Sequence, residues 1–317
     1  MADAKSYLEA QGLSDAMKEA VKTIIVERPP DAIKRLGELM LAKADTVAIG
    51  RPTIHIIWRV PAADEAIVDE YWKSHEAWMQ GSHTCGTEGD DSTNPRLLKF
   101  YIAKGKELNN PMDPASGETG NILYVMSEVY AAPTGIGKHM DKGGAEWAGM
   151  KDLGPWHAKY GVFMEAGSCS VFTTLSDKVA TNVTAVGQPS IHIVWRVPPA
   201  DEAKIDAYWK SHEAWMRKEH VMSLTGDDTK KPRLTSFSIN KGKELNNPMD
   251  PGSGFTGNIL YIMSETYVAP EGIASHMAKG AAEWPGMKDL GPNCEKYGVF
   301  IEAGSCSVFT NLGTKMK

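Results

Sequence analysis

The chain has 317 residues, 42% of them apolar, with 34 basic and 40 acidic side chains and a formal net charge of −6. Mild acidity without a basic stripe argues against a nucleic-acid surface, and no apolar run approaches the roughly 18 residues that read as a bilayer span. The four cysteines, Cys85, Cys169, Cys294 and Cys306, form no CxxC pair, and the opening MADAKSYLEA lacks the apolar core of a secretory leader, so a cytoplasmic protein with no metal site and no cofactor is the expectation.

Residues 1–46 read as a helical hairpin. Ser14 is a candidate N-cap, and Met17, Val21, Ile24 and Ile25 recur at helical spacing. Pro29-Pro30 end that helix, and Pro30-Asp31 suit the start of a second one striped by Ile33, Leu36, Leu39 and Met40. So short a hairpin cannot bury both stripes, and pairing two hairpins into a four-helix bundle solves the problem. The segment YLEAQGLSDAMKEAVKTIIVERPPDAIKRLGELML resembles the docking and dimerisation domain of protein kinase A type-II regulatory subunits and its Dpy-thirty relatives. Tyr7, Leu8, Arg28, Pro29, Ile33 and Leu36 carry the match, and Met40 stands where the family favours leucine. The resemblance implies a homodimer and a groove for an amphipathic helix of an anchoring partner, often in a cilium or flagellum. Tyr7, Leu8, Ile25, Pro29, Ile33 and Leu36 would be the docking residues.

The rest of the chain is written twice. IHIIWRVPAADEA and YWKSHEAWM in residues 54–79 return as IHIVWRVPPADEA and YWKSHEAWM in residues 191–216, and the offset 192 − 55 = 137 also links Gly120 to Gly257, His139 to His276 and Cys169 to Cys306. Each unit reads in the same order. Ile54, Ile56, Trp58 and Val60 alternate with His55, Ile57 and Arg59 as a strand, and 63–81 follow as a helix striped by Val68, Tyr71, Trp72, His75 and Met79. A loop over 82–95, a strand around Leu98, Phe100 and Ile102, and a long connection KGKELNNPMDPASGETG come next. NILYVMSEVY (121–130) is a strand apolar on both faces, 134–150 a second helix, and GVFMEAGSCSVFT (161–173) a fourth strand.

This strand–helix–strand–strand–helix–strand order makes an α+β chain of two tandem ferredoxin-like βαββαβ units. The expected domains are 1–46, 47–176 and 189–317, with 177–188 as a polar linker. Strand three requires a covered second face, so the two sheets should meet. IHIIWRV, NILYVMSEVY and the helix IGKHM resemble the dimeric α/β-barrel superfamily, whose antibiotic-biosynthesis monooxygenase-like members carry a short His-bearing helix; the expectation is a fused barrel. That superfamily includes cofactor-independent monooxygenases, cyclases, haem proteins and stress proteins without known activity, so the fold alone selects none of them.

The residues offer one candidate constellation. His55, Glu128, Tyr130 and His139, with His192, Glu265, Tyr267 and His276 in the second copy, are the expected proton-transfer groups, His55 as base and Glu128 orienting it. Arg59, Tyr124 and His75, with Arg196, Tyr261 and His212, are the expected ligand-binding companions. The competing reading is a buried ion-pair network that fixes the register of the sheets. Lys104 and Lys106 are candidates for an anion, and HExxH spacing is absent. The copies differ at Trp156-His157, which become Asn293-Cys294, at Cys85, which becomes Met222, and at Glu118, which becomes Phe255. Two functions are expected in competition: a barrel that binds a small apolar or aromatic ligand or serves as a scaffold, and a monooxygenase- or cyclase-like enzyme.

Overall fold

The computed structural model describes residues 51–86, 90–109, 115–162, 171–179, 188–246, 253–299 and 308–315, with scattered positions between 17 and 36. Contacts divide the chain into Met1–Val47 and Ala48–Lys317. In the first unit, Met17, Val21, Lys22, Ile24 and Ile25 are helical, as are Ala32, Ile33 and Leu36. Between them Arg28 takes the left-handed conformation, φ 46, and its N–H donates to the Ile24 carbonyl at 2.8 Å. That closes the first helix just ahead of the two prolines. Met17, Val21, Ile25 and Ile33 are exposed and Leu36 is half-buried. Tyr7, Leu8 and Pro29 lie outside the described residues.

The second unit begins with β1 (Pro52–Pro61), a short 3₁₀ turn and α1 (Glu65–Ser82). β2 (Thr84–Cys85), β3 (Arg96–Leu108), β4 (Glu118–Tyr130), α2 (Pro133–Glu146), α3 (Met150–Tyr160) and β5 (Val171–Val179) complete the first half. The second half repeats it as β6 (Pro189–Val197), α4 (Glu202–Glu219), β7 (Val221–Met222), β8 (Arg233–Leu245), β9 (Phe255–Tyr267), α5 (Pro270–Glu283), α6 (Met287–Tyr297) and β10 (Val308–Lys315). No described helix is long and apolar enough to cross a membrane.

Three expectations need correction. The lysine-rich start of the long connection is strand, not loop. Its charges are neutralised locally: Lys104 Nζ reaches Glu65 (2.9 Å) and Asp69 (2.7 Å) on α1, and Lys106 reaches Glu118 across the ladder (3.0 Å). Both lysines therefore hold carboxylates, and neither is offered to an outside anion. The second helix is two helices, because the chain turns at Trp147–Gly149; an alanine at Gly149 would place its Cβ 2.6 Å from the Trp147 ring. The fourth strand runs to Val179, past the expected domain edge.

That last strand closes the architecture. β5 pairs with β1 of its own half through Pro52–Ile54 and with β8 of the other half through residues 173–179. β10 does the same with β6 and β3. The path β10-β6-β9-β8-β5-β1-β4-β3, with β10 bonded back to β3, is a closed antiparallel barrel of eight strands, to which β2 and β7 add short parallel pairs. An eight-strand barrel is just wide enough for its side chains to fill it. Ile57, Leu123 and Val125 of one half meet Val194, Leu260 and Ile262 of the other inside. The helices lie outside, over Ile54, Ile56 and Trp58 in one half and Ile191, Ile193 and Trp195 in the other.

Each half supplies a strand that the other half needs. A single half, residues 48–180, is therefore expected to self-associate into a two-chain barrel, with β5 of each copy on β3 of the other. Sedimentation equilibrium of that fragment should report a dimer; a folded monomer would contradict the closure.

Candidate functional site

Strand parity decides which groups meet. Directly paired residues share a face, and neighbours along a strand alternate. The β1–β4 register pairs Ile54 with Glu128, Ile56 with Met126 and Trp58 with Tyr124, while His55 pairs with Ser127. Glu128 and Tyr130 therefore face the helices, and His55 faces the barrel interior. The expected His55–Glu128 couple does not form, and neither does its copy, His192–Glu265, because Glu265 pairs with Ile191 and Ser264 with His192.

His55 and His192 instead belong to the barrel's polar lining. His192 Nδ1 is 2.9 Å from Ser264 Oγ and its Nε2 is 3.1 Å from Ser190 Oγ. Tyr101 stacks on its ring at 5.6 Å and donates its hydroxyl to the same Ser264. Burial, with like charges nearby, lowers both imidazoles to a pKa of about 3. Arg59 and Arg196 stand at the barrel ends. Arg59 Nε donates to the buried Glu107 at 2.6 Å, and Glu107 also accepts from Thr119 and Asn121; Arg196 repeats this with Glu244 at 2.5 Å. Tyr124 and Tyr261 donate to Asp69 and Asp206, both at 2.7 Å. Burial and the adjacent carboxylate raise both phenols. These four residues close structural pairs.

The structure brings the remaining candidates together on the helix side. Glu128 is fully buried, and Tyr130 donates its hydroxyl to Glu128 Oε2. His75 from α1 places Nε2 at 3.5 Å from Oε1, and His139 from α2 places Nδ1 at 3.8 Å from Oε2. In the other half His212 and His276 stand at 3.5 and 3.7 Å from Glu265, with Tyr267 in the place of Tyr130. Each element supplies its group for a local reason. Gly135 lets α2 approach the Tyr130 ring, since a Cβ there would lie 3.0 Å from it. His75 sits on the apolar stripe of α1, next to the Trp72 and Trp78 rings.

One participant escaped the sequence reading. His83, in the turn after α1, places Nε2 at 3.0 Å from His139 Nδ1. Ser82 donates its hydroxyl to the Trp78 carbonyl (2.7 Å), so Ser82 Oγ accepts from His83 Nδ1 at 2.8 Å. The neutral His83 then has a lone pair on Nε2 for the His139 Nδ1–H. His220 repeats the contact with His276 at 3.0 Å, but Glu219 replaces the serine. The available signal was that 82–86 and 219–223 read SHTCG and EHVMS, alike only at this histidine.

The electrostatics follow from dryness. Burial pushes the Glu128 carboxyl up to about 8 against the opposing Tyr130 hydrogen bond, and Glu265 likewise. Burial lowers His139 to about 3 and takes His75, His212 and His276 well below the ordinary value. At neutral pH each centre is thus an uncharged carboxylic acid facing neutral imidazoles. Such a set can pass a proton to a guest or accept a cation. The cavity beside it, lined by His75, Glu128, His139, Met140 and Trp147, measures about 20 Å³, and its counterpart about 10 Å³. That is room for about one water, far below the roughly 300 Å³ of a small-molecule pocket.

Fold and site together define a fused, pseudo-twofold α/β barrel with a histidine–carboxylate centre under the helices of each half. No protein-family model and no curated protein matches the sequence. Among solved structures, the chain is similar to a candidate monooxygenase from Fusobacterium nucleatum, with a TM-score of 0.48 and 10% identity over 84% of this chain and 95% of that one. An anthrone oxidase-like protein superposes with a TM-score of 0.45 and 8% identity, covering 85% of this chain and 94% of its own. A candidate monooxygenase from Lactobacillus acidophilus gives 0.39 and 14%, covering 83% and 93%. These are likenesses of outline, and no chemistry is carried over from them.

The pKa pattern fixes a pH profile for the metal-free protein. Histidines 55, 75, 139, 157, 192, 212, 220 and 276 titrate below 6.5 when folded, so the unfolded chain binds more protons as pH falls and stability drops on the acid side. Glu128 and Glu265 titrate above 4.5 when folded, so the folded chain binds more protons between 4.5 and 8 and their contribution is lost as pH rises through 8. Eight groups outweigh two below 6.5, and among the described residues the two carboxyls lead above it until the Cys294 thiol joins near pH 9. Urea midpoints measured from pH 4 to 9 should peak near pH 6.5. The double variant E128Q/E265Q should flatten the alkaline limb and leave the acid limb; an alkaline limb that persists would contradict the assignment.

Proposed function

We propose that this chain is a ligand-binding barrel protein, in which a small apolar or aromatic guest enters beside Trp147 and meets the Glu128 carboxyl as its polar partner. One observation carries the reading: Trp147 is the wall between two spaces. On its inner side lies the cavity of about 20 Å³ at His75, Glu128 and His139. On its outer side lies an open depression of about 510 Å³ lined by Gly144, Glu146, Ala148, Met150 and Lys151. The indole stacks on Trp78 at 5.8 Å and meets the His75 ring edge-on at 4.6 Å, and a hydrogen bond of 3.2 Å, to Ser74 Oγ, ties its Nε1. Rotation of this one side chain joins the two spaces and gives a ring-sized guest access to the acid.

The scaffold reading also has an observation behind it, since apolar side chains of both halves pack together inside the barrel and each cavity under the helices holds about one water. A monooxygenase- or cyclase-like activity would need the same opening, with Glu128 as acid and the neutral His75 and His139 as proton acceptors. At the other end of the chain, the exposed stripe of Met17, Val21, Ile25 and Ile33 fits a hairpin that pairs with a second copy and receives an amphipathic helix from an anchoring protein, in a cytoplasmic or ciliary setting.

Trp147→Ala removes the wall and leaves the carboxyl in place. Titration with 1-naphthol, read by thermal shift and by quenching of the remaining tryptophans, should show binding that tightens about tenfold in this variant, about 1.4 kcal/mol. The gain should be lost in W147A/E128Q. Equal, weak binding by all three proteins would favour the scaffold. The same preparation should sediment as a dimer, and as a monomer once residues 1–46 are removed.

A further inference from the structure

The two imidazoles nearest Glu128 converge on its carboxyl without hydrogen-bonding it. The separations of 3.5 Å to His75 Nε2 and 3.8 Å to His139 Nδ1 are too long for good hydrogen bonds. Glu128 Oε1 and His75 Nδ1 make no hydrogen bond, although both residues are almost wholly buried. Glu265 Oε1 and His212 Nδ1 are in the same condition. A buried polar atom left without a hydrogen bond costs roughly 1–3 kcal/mol, so a pattern present in both halves calls for a guest.

The spacing suits an ion. Zinc-type bonds to nitrogen and oxygen are about 2.0–2.2 Å long, which puts adjacent tetrahedral ligands about 3.3–3.6 Å apart. The candidate ligand atoms of His75, Glu128 and His139 all lie within 4.8 Å of one another, as do those of His212, Glu265 and His276. Side-chain shifts on the order of an ångström would gather each trio around one centre. The cavity of about 20 Å³ is lined by all three residues of the first trio, and that of about 10 Å³ by His212 and His276 of the second.

We propose that each half of the barrel binds one divalent first-row transition-metal ion, through His75, Glu128 and His139 in the first half and His212, Glu265 and His276 in the second. Two imidazoles and one carboxylate favour Zn²⁺, Fe²⁺ or Co²⁺ over the oxygen-seeking Mg²⁺ and Ca²⁺. The inference concerns the same centre as the ligand-binding reading, but it does not need Trp147 to open for a ring. His139 ligates through Nδ1 in the tautomer that carries its hydrogen on Nε2. His83 Nε2, 3.0 Å from that Nδ1, then loses the hydrogen it accepts in the metal-free protein and is placed as a neighbouring ligand. Spacing rules could not expose this set, because the three ligands come from α1, β4 and α2 and form no local motif.

The test is titration of the chelator-dialysed full-length chain with Co²⁺ and with Zn²⁺. Calorimetry should give two ions per chain, and Co²⁺ should develop visible absorption bands and quench the tryptophans packed on His75 and His139. E128Q and E265Q should each remove one ion, and the double variant both. Should a variant fail to fold, the wild-type Co²⁺ spectrum and quenching still decide. No saturable uptake by the wild type, or two ions retained by the folded double variant, would overturn the proposal. A null metal titration leaves the naphthol result standing, and failure of naphthol to bind W147A leaves the two-ion stoichiometry standing.

Discussion

Strand exchange between the two halves is the constraint from which the rest follows. β5 and β10 each leave their own half to pair with β8 and β3, and the resulting ring leaves no main-ring strand edge unpaired among the described residues. A closed ring gives the sheet an inside, packed with side chains from both halves, and an outside, covered by helices. Polar groups on either face are thereby removed from water. His55, His75, Glu128 and Glu265 owe their altered proton affinity to that arrangement, because burial is the leading cause in each case.

The two faces use their polar groups differently. Inside the barrel, His192, Ser190, Ser264 and Tyr101 form hydrogen-bonded contacts that bridge the halves, which is a structural use. At the barrel ends, Arg59–Glu107 and Arg196–Glu244 are completed by threonine and asparagine donors. Under the helices the groups converge on a small void instead, and that contrast is why the proposed ligand and metal are assigned to the helix side. The halves keep His75, His83, Glu128, Tyr130 and His139 unchanged as His212, His220, Glu265, Tyr267 and His276, yet differ nearby. Trp58 Nε1 donates to His157 Nδ1 at 2.8 Å, and the residue in the place of His157 in the second half is Cys294, whose thiol burial raises to about 11.

Much of this was legible in the sequence. The repeat offset, the alternation in IHIIWRV and the apolar NILYVMSEVY are enough for strands covered on both sides, and those lead to a fused barrel. The parity within each strand was also readable: Glu128 falls with Tyr124, Met126 and Tyr130, and His55 with Arg59. What was not readable is the register between strands. A one-residue change in how β1 meets β4 would bring His55 and Glu128 to the same face. Charged strand ends hid the full length of β3, because Lys104 finds its partners on α1. β5 hid in a stretch whose polar composition looks like a linker, since its pairing partner lies in the other half.

A direct titration of the Glu128 side chain tests the central claim, that closure and helix cover hold a dry acid in each half. With glutamate labelled at the side-chain carboxyl carbon, ¹³C NMR of the metal-free protein should show two carboxyl resonances that titrate near pH 8, absent from E128Q and E265Q respectively. If instead all glutamate carboxyls are ionised by pH 6, Glu128 and Glu265 are wet, and the account of both centres is wrong.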